Sequence, residues 1–167
     1  MADIVIKIIP EHIAYTAEYD ISDYYDFYDF ETGSNILLDL EELMHEENPD
    51  VHVPEIPNDY NYFTHPQGEI PQGRMHVHYY DMVDCKGIDN KDGKYRFVTV
   101  PEINAVCKMH SGSFNNIGSA LEKQYSEIEK AGLTICGDSR ISAIHGPWDC
   151  DDEEDYLLEI QIPVKQE

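Results

Sequence analysis

Cationic side chains are scarce in this sequence. Only 11 lysines and arginines stand against 34 aspartates and glutamates, a formal net charge of −23 with histidine neutral. That balance argues against sequence-independent binding to a nucleic-acid backbone, which relies on cationic side chains displacing condensed counterions. It disfavours anionic membrane surfaces for the same reason. Cationic ligands and partners are drawn more easily. The four cysteines, Cys85, Cys107, Cys136 and Cys150, form no C-x-x-C pair, so a structural zinc knuckle is not supported. No apolar run approaches the roughly 20 residues that span a bilayer. The first residues lack the basic segment and apolar core of a secretory signal. A cytoplasmic protein with reduced thiols is expected, with no cofactor, no direct nucleic-acid contact and no membrane partner.

What the sequence does have is a core and a repeat. Its hydrophobic fraction is 41% and it holds 12 tyrosines, which argues against disorder. One domain over residues 1–167 is expected. Ile8-Ile9-Pro10-Glu11-His12-Ile13-Ala14-Tyr15 is echoed by Thr99-Val100-Pro101-Glu102-Ile103-Asn104-Ala105-Val106. In both, an apolar run meets Pro-Glu and a second run follows with Ala in register. Each copy then passes through a helix-like segment into two strand-like runs, the last ending at Val83 or Val164. Repeat one covers about 1–85 and repeat two about 94–165. Two such units predict a pseudo-symmetric α+β fold with a seam between halves, where small-molecule pockets tend to form.

In the first copy, Ile4 to Ile9 and His12 to Tyr19 read as strands. Asp20 to Phe30 spaces Asp every third residue between Tyr and Phe. Its acids read as solvated, and its rings either pack down or line a pocket. Ser34 or Asn35 caps a helix whose Ile36, Leu37, Leu40, Leu43 and Met44 share a face. Asn48-Pro49 ends it. Asn61 to Thr64 and Arg74 to Val83 are the closing strands. In the second copy the strands are Lys94 to Val100 and Ile103 to Met109. Ser113 caps a helix with the stripe Phe114, Ile117, Leu121, Tyr125 and Ile128, and Gly132 stops it. Arg140 to His145 and Tyr156 to Val164 close the copy.

On the last strand of repeat one, His76, His78 and Tyr80 share one face by the period of two. Two imidazoles on one strand face suit a metal only if further ligands arrive from elsewhere, with His65 and His145 as conceivable donors. Half-exposed strand histidines are the simpler reading, and no metal site is assigned. Matching the closing strands by their final valines sets Glu159 against His78 and Gln161 against Tyr80. Leu158, Ile160 and Ile162 alternate with them and are expected to meet the helices. Tyr62, Tyr80, Trp148 and Glu159, with His78 and His145, are the candidate ligand-binding residues, chosen by strand-end or seam position. Ordinary packing is the rival for each.

The run Val100-Pro101-Glu102 through His110-Ser111-Gly112-Ser113-Phe114, the amphipathic helix with Gly132, and Glu159-Ile160-Gln161-Ile162-Pro163-Val164 resemble the GyrI-like (gyrase-inhibitor-like) effector-binding family. That family includes the ligand-binding domains of AraC-type and MerR-type multidrug-responsive transcription regulators. The opening Ile6-Lys7-Ile8-Ile9-Pro10 resembles the family's usual start. The resemblance implies two β-α-β-β repeats forming an antiparallel sheet with two helices around a central cleft. It implies binding of small, often hydrophobic and cationic, molecules. Many members carry an acidic residue followed by an aromatic in the strand after the second helix. Here that strand reads Arg140-Ile141-Ser142-Ala143-Ile144-His145, with neither.

Three functions compete. A stand-alone small-molecule-binding protein without a DNA-binding domain is the main expectation. A hydrolase of reactive small molecules in the same cleft is the second, although no nucleophile–base–acid set is visible and no catalytic residue is assigned. An acidic protein-interaction module acting on a nucleic-acid enzyme such as gyrase is the third. A protein partner or homodimer stays open with it.

Overall fold

The fold is that of a computed structural model, described for residues 4–28, 32, 35–54, 61–71 and 73–165. Repeat one supplies β1 (Val5–Ile9), β2 (His12–Ile21), α1 (Ile36–Glu47), β3 (Asn61–His65) and β4 (Met75–Val83). Repeat two supplies β5 (Arg96–Val100), β6 (Ile103–Ser111), α2 (Ile117–Lys130), the short β7 (Thr134–Ile135), β8 (Ser139–His145) and β9 (Leu157–Lys165). Among the described residues the result is the expected α+β arrangement: an antiparallel nine-stranded sheet and two helices.

The strand order is β1-β6-β9-β8-β3-β4-β2-β5, with β7 on β9. Exchanging each strand for its counterpart in the other repeat reverses this order and leaves it unchanged. The pseudo-dyad therefore passes between β3 and β8, where Phe63 faces Ile141. The first strand of each repeat crosses over to the other. β1 pairs β6, Val5 opposite Cys107, while β5 pairs β2, Arg96 opposite Thr16. The Pro-Glu echo of the sequence marks the two equivalent turns into these crossed strands.

The pleat sends alternate side chains to opposite faces. Tyr15, Val77, Tyr79, Phe63, Ile141 and Ile160 point to the helix side. There they form one core with Leu40 and Met44 of α1 and Leu121 and Ile128 of α2. The other face carries Tyr62, Tyr80, Arg140, Glu159 and Gln161, and a small apolar cluster of Ile9, Ala105 and Cys107.

The local signals explain the ends. The Asn35 side chain accepts from the Leu37 and Leu38 amides and Asn48 closes α1. Ser113 accepts from the Asn115 amide, capping a 3-10 turn (Phe114–Asn116) that leads into α2. Gly132 stops α2 with φ of 75°. On α1 the apolar stripe is narrower than its pattern: Leu40 and Met44 are buried, but Ile36 is 43% exposed at the helix start. On α2 the buried stripe includes Gln124, whose amide donates to the Val106 and Ile160 carbonyls. Ser34 and the end of the Asp–Tyr segment, residues 29–30, lie outside the described residues.

Candidate functional site

The helix-side cleft crosses the seam. Its floor is Phe63 of β3 and Tyr79 and Asp81 of β4. Glu41 of α1 and Tyr28 form walls from repeat one, and Ala143 and Trp148 close it from repeat two. It encloses about 150 Å³. The 3-10 turn Tyr24–Phe27 brings Tyr28 here, anchored by Tyr24 and Phe27 in the core. The Tyr28 ring lies 5.5 Å from Trp148. Trp148 itself is 45% exposed, a ring at the rim of the cleft.

The Gly146 turn sets the place of that ring. A β-carbon at Gly146 would lie 2.4 Å from the Trp148 ring and 2.9 Å from Phe114. Glycine is what lets the indole fold back over the turn.

Asp81 is the one acid on the inward face of β4, a strand otherwise reading Met75, Val77, Tyr79 and Val83 on that side. It is buried, and accepts a hydrogen bond from the Tyr15 hydroxyl at 2.7 Å. Burial pushes its carboxyl up to about 7, the Tyr15 bond pulls the other way, and the negative charge of Glu41 pushes further up. Among the described residues no Lys, Arg or His stands within ion-pair distance of Asp81. Burial without a counter-charge favours the neutral form of such a carboxyl.

The acids of the cleft and its Tyr and Phe rings thus come from repeat one, and repeat two adds the Trp148 ring. The strand after the second helix contributes Ala143 as a small wall. Where the family resemblance implies a carboxylate on β8, this chain carries its carboxylates on β4 and α1.

The residues singled out from sequence divide between two faces. Tyr62 and Tyr80 do meet, stacked with ring centroids 5.2 Å apart, but on the face away from the helices. Arg140 lies over Tyr62 at 4.9 Å, and the Tyr62 hydroxyl meets His12 Nε2 at 3.0 Å. They edge a shallow hollow of about 310 Å³ with a cation in its wall. Glu159 is on that face too, held by Lys7 Nζ at 2.6 Å and the Gln161 amide at 2.8 Å. His78 is partly exposed, 3.4 Å from Glu18. His145 ends β8 and pairs with Asp149 at 2.7 Å. Of the six, only Trp148 reaches the helix-side cleft. Asp81, Tyr79, Tyr28 and Glu41 were not singled out, although an acid at an inward strand position is a readable signal.

A second hollow on the helix side, about 410 Å³ beside the start of α2, holds Asp23 and Glu122 at its edge. Its rings, Tyr24 and Phe114, are committed to the core.

No protein-family model and no curated protein sequence matches the chain; the likeness is one of structure. The EcmrR C-terminal domain superposes with a TM-score of 0.83 at 23% identity, over 99% of this chain and 98% of that one. EcmrR in a cryo-EM complex with DNA gives 0.80 at 24% identity, and there this chain spans 58% of the EcmrR length. SAV2435 bound to tetraphenylphosphonium gives 0.56 at 12% identity, over 98% of this chain and 94% of that one. With the palindromic strand order and both helices on one face, these likenesses identify the architecture: this chain has the GyrI-like fold.

Proposed function

We propose that this chain binds a small aromatic cation in the helix-side cleft, with Asp81 as counter-charge and Tyr28, Tyr79 and Trp148 as the aromatic walls. The observation that carries the reading is Asp81, a buried carboxyl with no cationic side chain within ion-pair distance among the described residues, on the floor of a ring-lined cleft. Rings attract a cation through their negative faces, the more so when water is excluded. A net charge of −23 adds a general pull on cations. The likeness to SAV2435, which is bound to a lipophilic aromatic cation, supports the same class of ligand. Cys85, Cys107, Cys136 and Cys150 form no disulfide among the described residues, which fits a reducing, cytoplasmic setting.

The test compares phenyltrimethylammonium with tert-butylbenzene, its neutral isostere, by calorimetry and Trp148 fluorescence. The cation is expected to bind at least tenfold tighter, about 1.4 kcal/mol. That preference is expected to vanish in Asp81→Asn and to survive in Glu159→Gln, whose carboxylate is on the other face and held by Lys7. Equal affinities for the two compounds, or a cation preference unchanged in Asp81→Asn, would overturn the reading.

A further inference from the structure

On the face of the sheet away from the cleft, β2 and β4 run antiparallel with Glu18 opposite His78 and Asp20 opposite His76. All four side chains project to the same side, since each strand contributes residues two apart. The Glu18 carboxylate, His76 Nε2 and His78 Nε2 converge. His76 Nε2 lies 3.1 Å and His78 Nε2 3.4 Å from the same Glu18 oxygen. The three donor atoms all fall within 4.8 Å of one another. The two imidazoles stand edge to face with centroids 5.3 Å apart.

We propose that Glu18, His76 and His78 form a binding site for a first-row transition dication of the zinc class, open to solvent on its remaining side. Zinc bonds of about 2.0–2.2 Å to nitrogen and oxygen put tetrahedral ligand atoms about 3.4 Å apart. The two distances from Glu18 match that edge, so a metal enters with small side-chain adjustments. Two imidazoles and a carboxylate are the donor set that borderline dications prefer over magnesium or calcium.

A second observation points the same way. Asp20 Oδ1 lies 2.8 Å from His76 Nδ1. An Nδ1–H donated to a carboxylate fixes the ring and leaves the Nε2 lone pair for a metal, the arrangement that orients ligating histidines generally. Without a metal the same cluster is held by contacts of the two imidazoles with Glu18 and Asp20. Arg96 of β5 is the cation that acts on Glu18 from the neighbouring strand. It limits affinity without occupying the donor positions.

The site clamps β2 to β4 across four exposed or half-exposed side chains. It shares neither residues nor face with the cleft, so it stands or falls independently of the ligand proposed there.

The test is a titration of the untagged chain with zinc chloride by calorimetry, followed by cobalt absorption as a probe of coordination. Saturable one-to-one binding is expected. His76→Ala and His78→Ala should each weaken it at least fivefold, and Asp20→Asn by roughly tenfold through loss of ring orientation. Their exposed positions keep the fold intact, which circular dichroism checks. Cys150→Ser should leave binding in place; it alters the one other three-donor group among the described residues, His145, Asp149 and Cys150. Absence of saturable binding, less than a fivefold loss in either histidine variant, or loss in Cys150→Ser would overturn the proposal.

Discussion

Tyr15 and Asp81 face each other across β2 and β4, and the Tyr15 hydroxyl donates to Asp81 Oδ2 at 2.7 Å on the buried side of the sheet. The bond keeps one carboxyl oxygen occupied, and Asp81 lines the cleft with Tyr79 and Glu41. With its carboxyl pushed up to about 7, Asp81 is divided between its neutral and ionised forms at neutral pH. A cation favours the ionised form, so its binding releases a proton. The affinity for phenyltrimethylammonium is expected to rise up to about tenfold per pH unit below 7 and to level off above it. A titration series from pH 5.5 to 8.5 checks this, and a flat profile would contradict it.

The same shift acts on folding. The carboxyl is raised from 3.8 to about 7, so the folded chain holds a proton that the unfolded chain gives up. Its contribution is neutral below about pH 4 and becomes destabilising as pH rises toward 7. Asp81→Asn keeps an acceptor for Tyr15 and has no charge to bury. It is expected to stabilise the fold by about 1–3 kcal/mol at pH 8 and by little at pH 4.5. Urea unfolding at both values measures the difference.

His65 acts with the opposite sign. It is buried against the Tyr24 hydroxyl, and burial pushes it from 6.5 down to about 4. The unfolded chain protonates it first, so stability present above about pH 6.5 is lost as pH falls toward 4. The loss is on the order of 3 kcal/mol. His65→Gln, which can still bond Tyr24, should flatten this part of the stability profile. A variant with the same acid limb as the parent would show that His65 is not the group responsible.

Gly146 offers a test of the rim. Gly146→Ala would set a methyl against Trp148 and Phe114 and force the indole outward. A red-shifted Trp148 emission is expected, with cation affinity reduced roughly fivefold through the lost ring contact. Unchanged emission would mean that the turn absorbs the methyl without moving the ring.

Much of this architecture was readable. The Pro10-Glu11 and Pro101-Glu102 echo found the equivalent turns, and the alternation of Leu158, Ile160 and Ile162 found the helix-facing side of β9. The stripe on α2 was readable except for Gln124, which is buried because its amide bonds carbonyls of β6 and β9. That depends on partners far away in sequence. The site was harder. The period of two put Tyr80 on a face with His76 and His78, but which face borders the helices, and that Tyr62 stacks on Tyr80, depends on strand pairing. Trp148 reaches the cleft by folding over a glycine, which no periodicity records. Asp81 could have been found: it is the acid that interrupts an apolar row on β4. β7 is too short, at two residues, to leave a pattern.

The crossed first strands make each half of the molecule depend on the other for a sheet edge. A chain ending after β4 would leave β1 without β6, and β2 without β5. Such a fragment exposes open backbone edges and is prone to pair with whatever strand is nearest. A second fragment carrying β5 to β9 has the complementary vacancies, so the two halves should rescue one another when mixed. Assembly of the intact chain must likewise wait for β6 before its first strand can dock. That places the closing of the sheet late in folding, across one of the longest loops the chain contains.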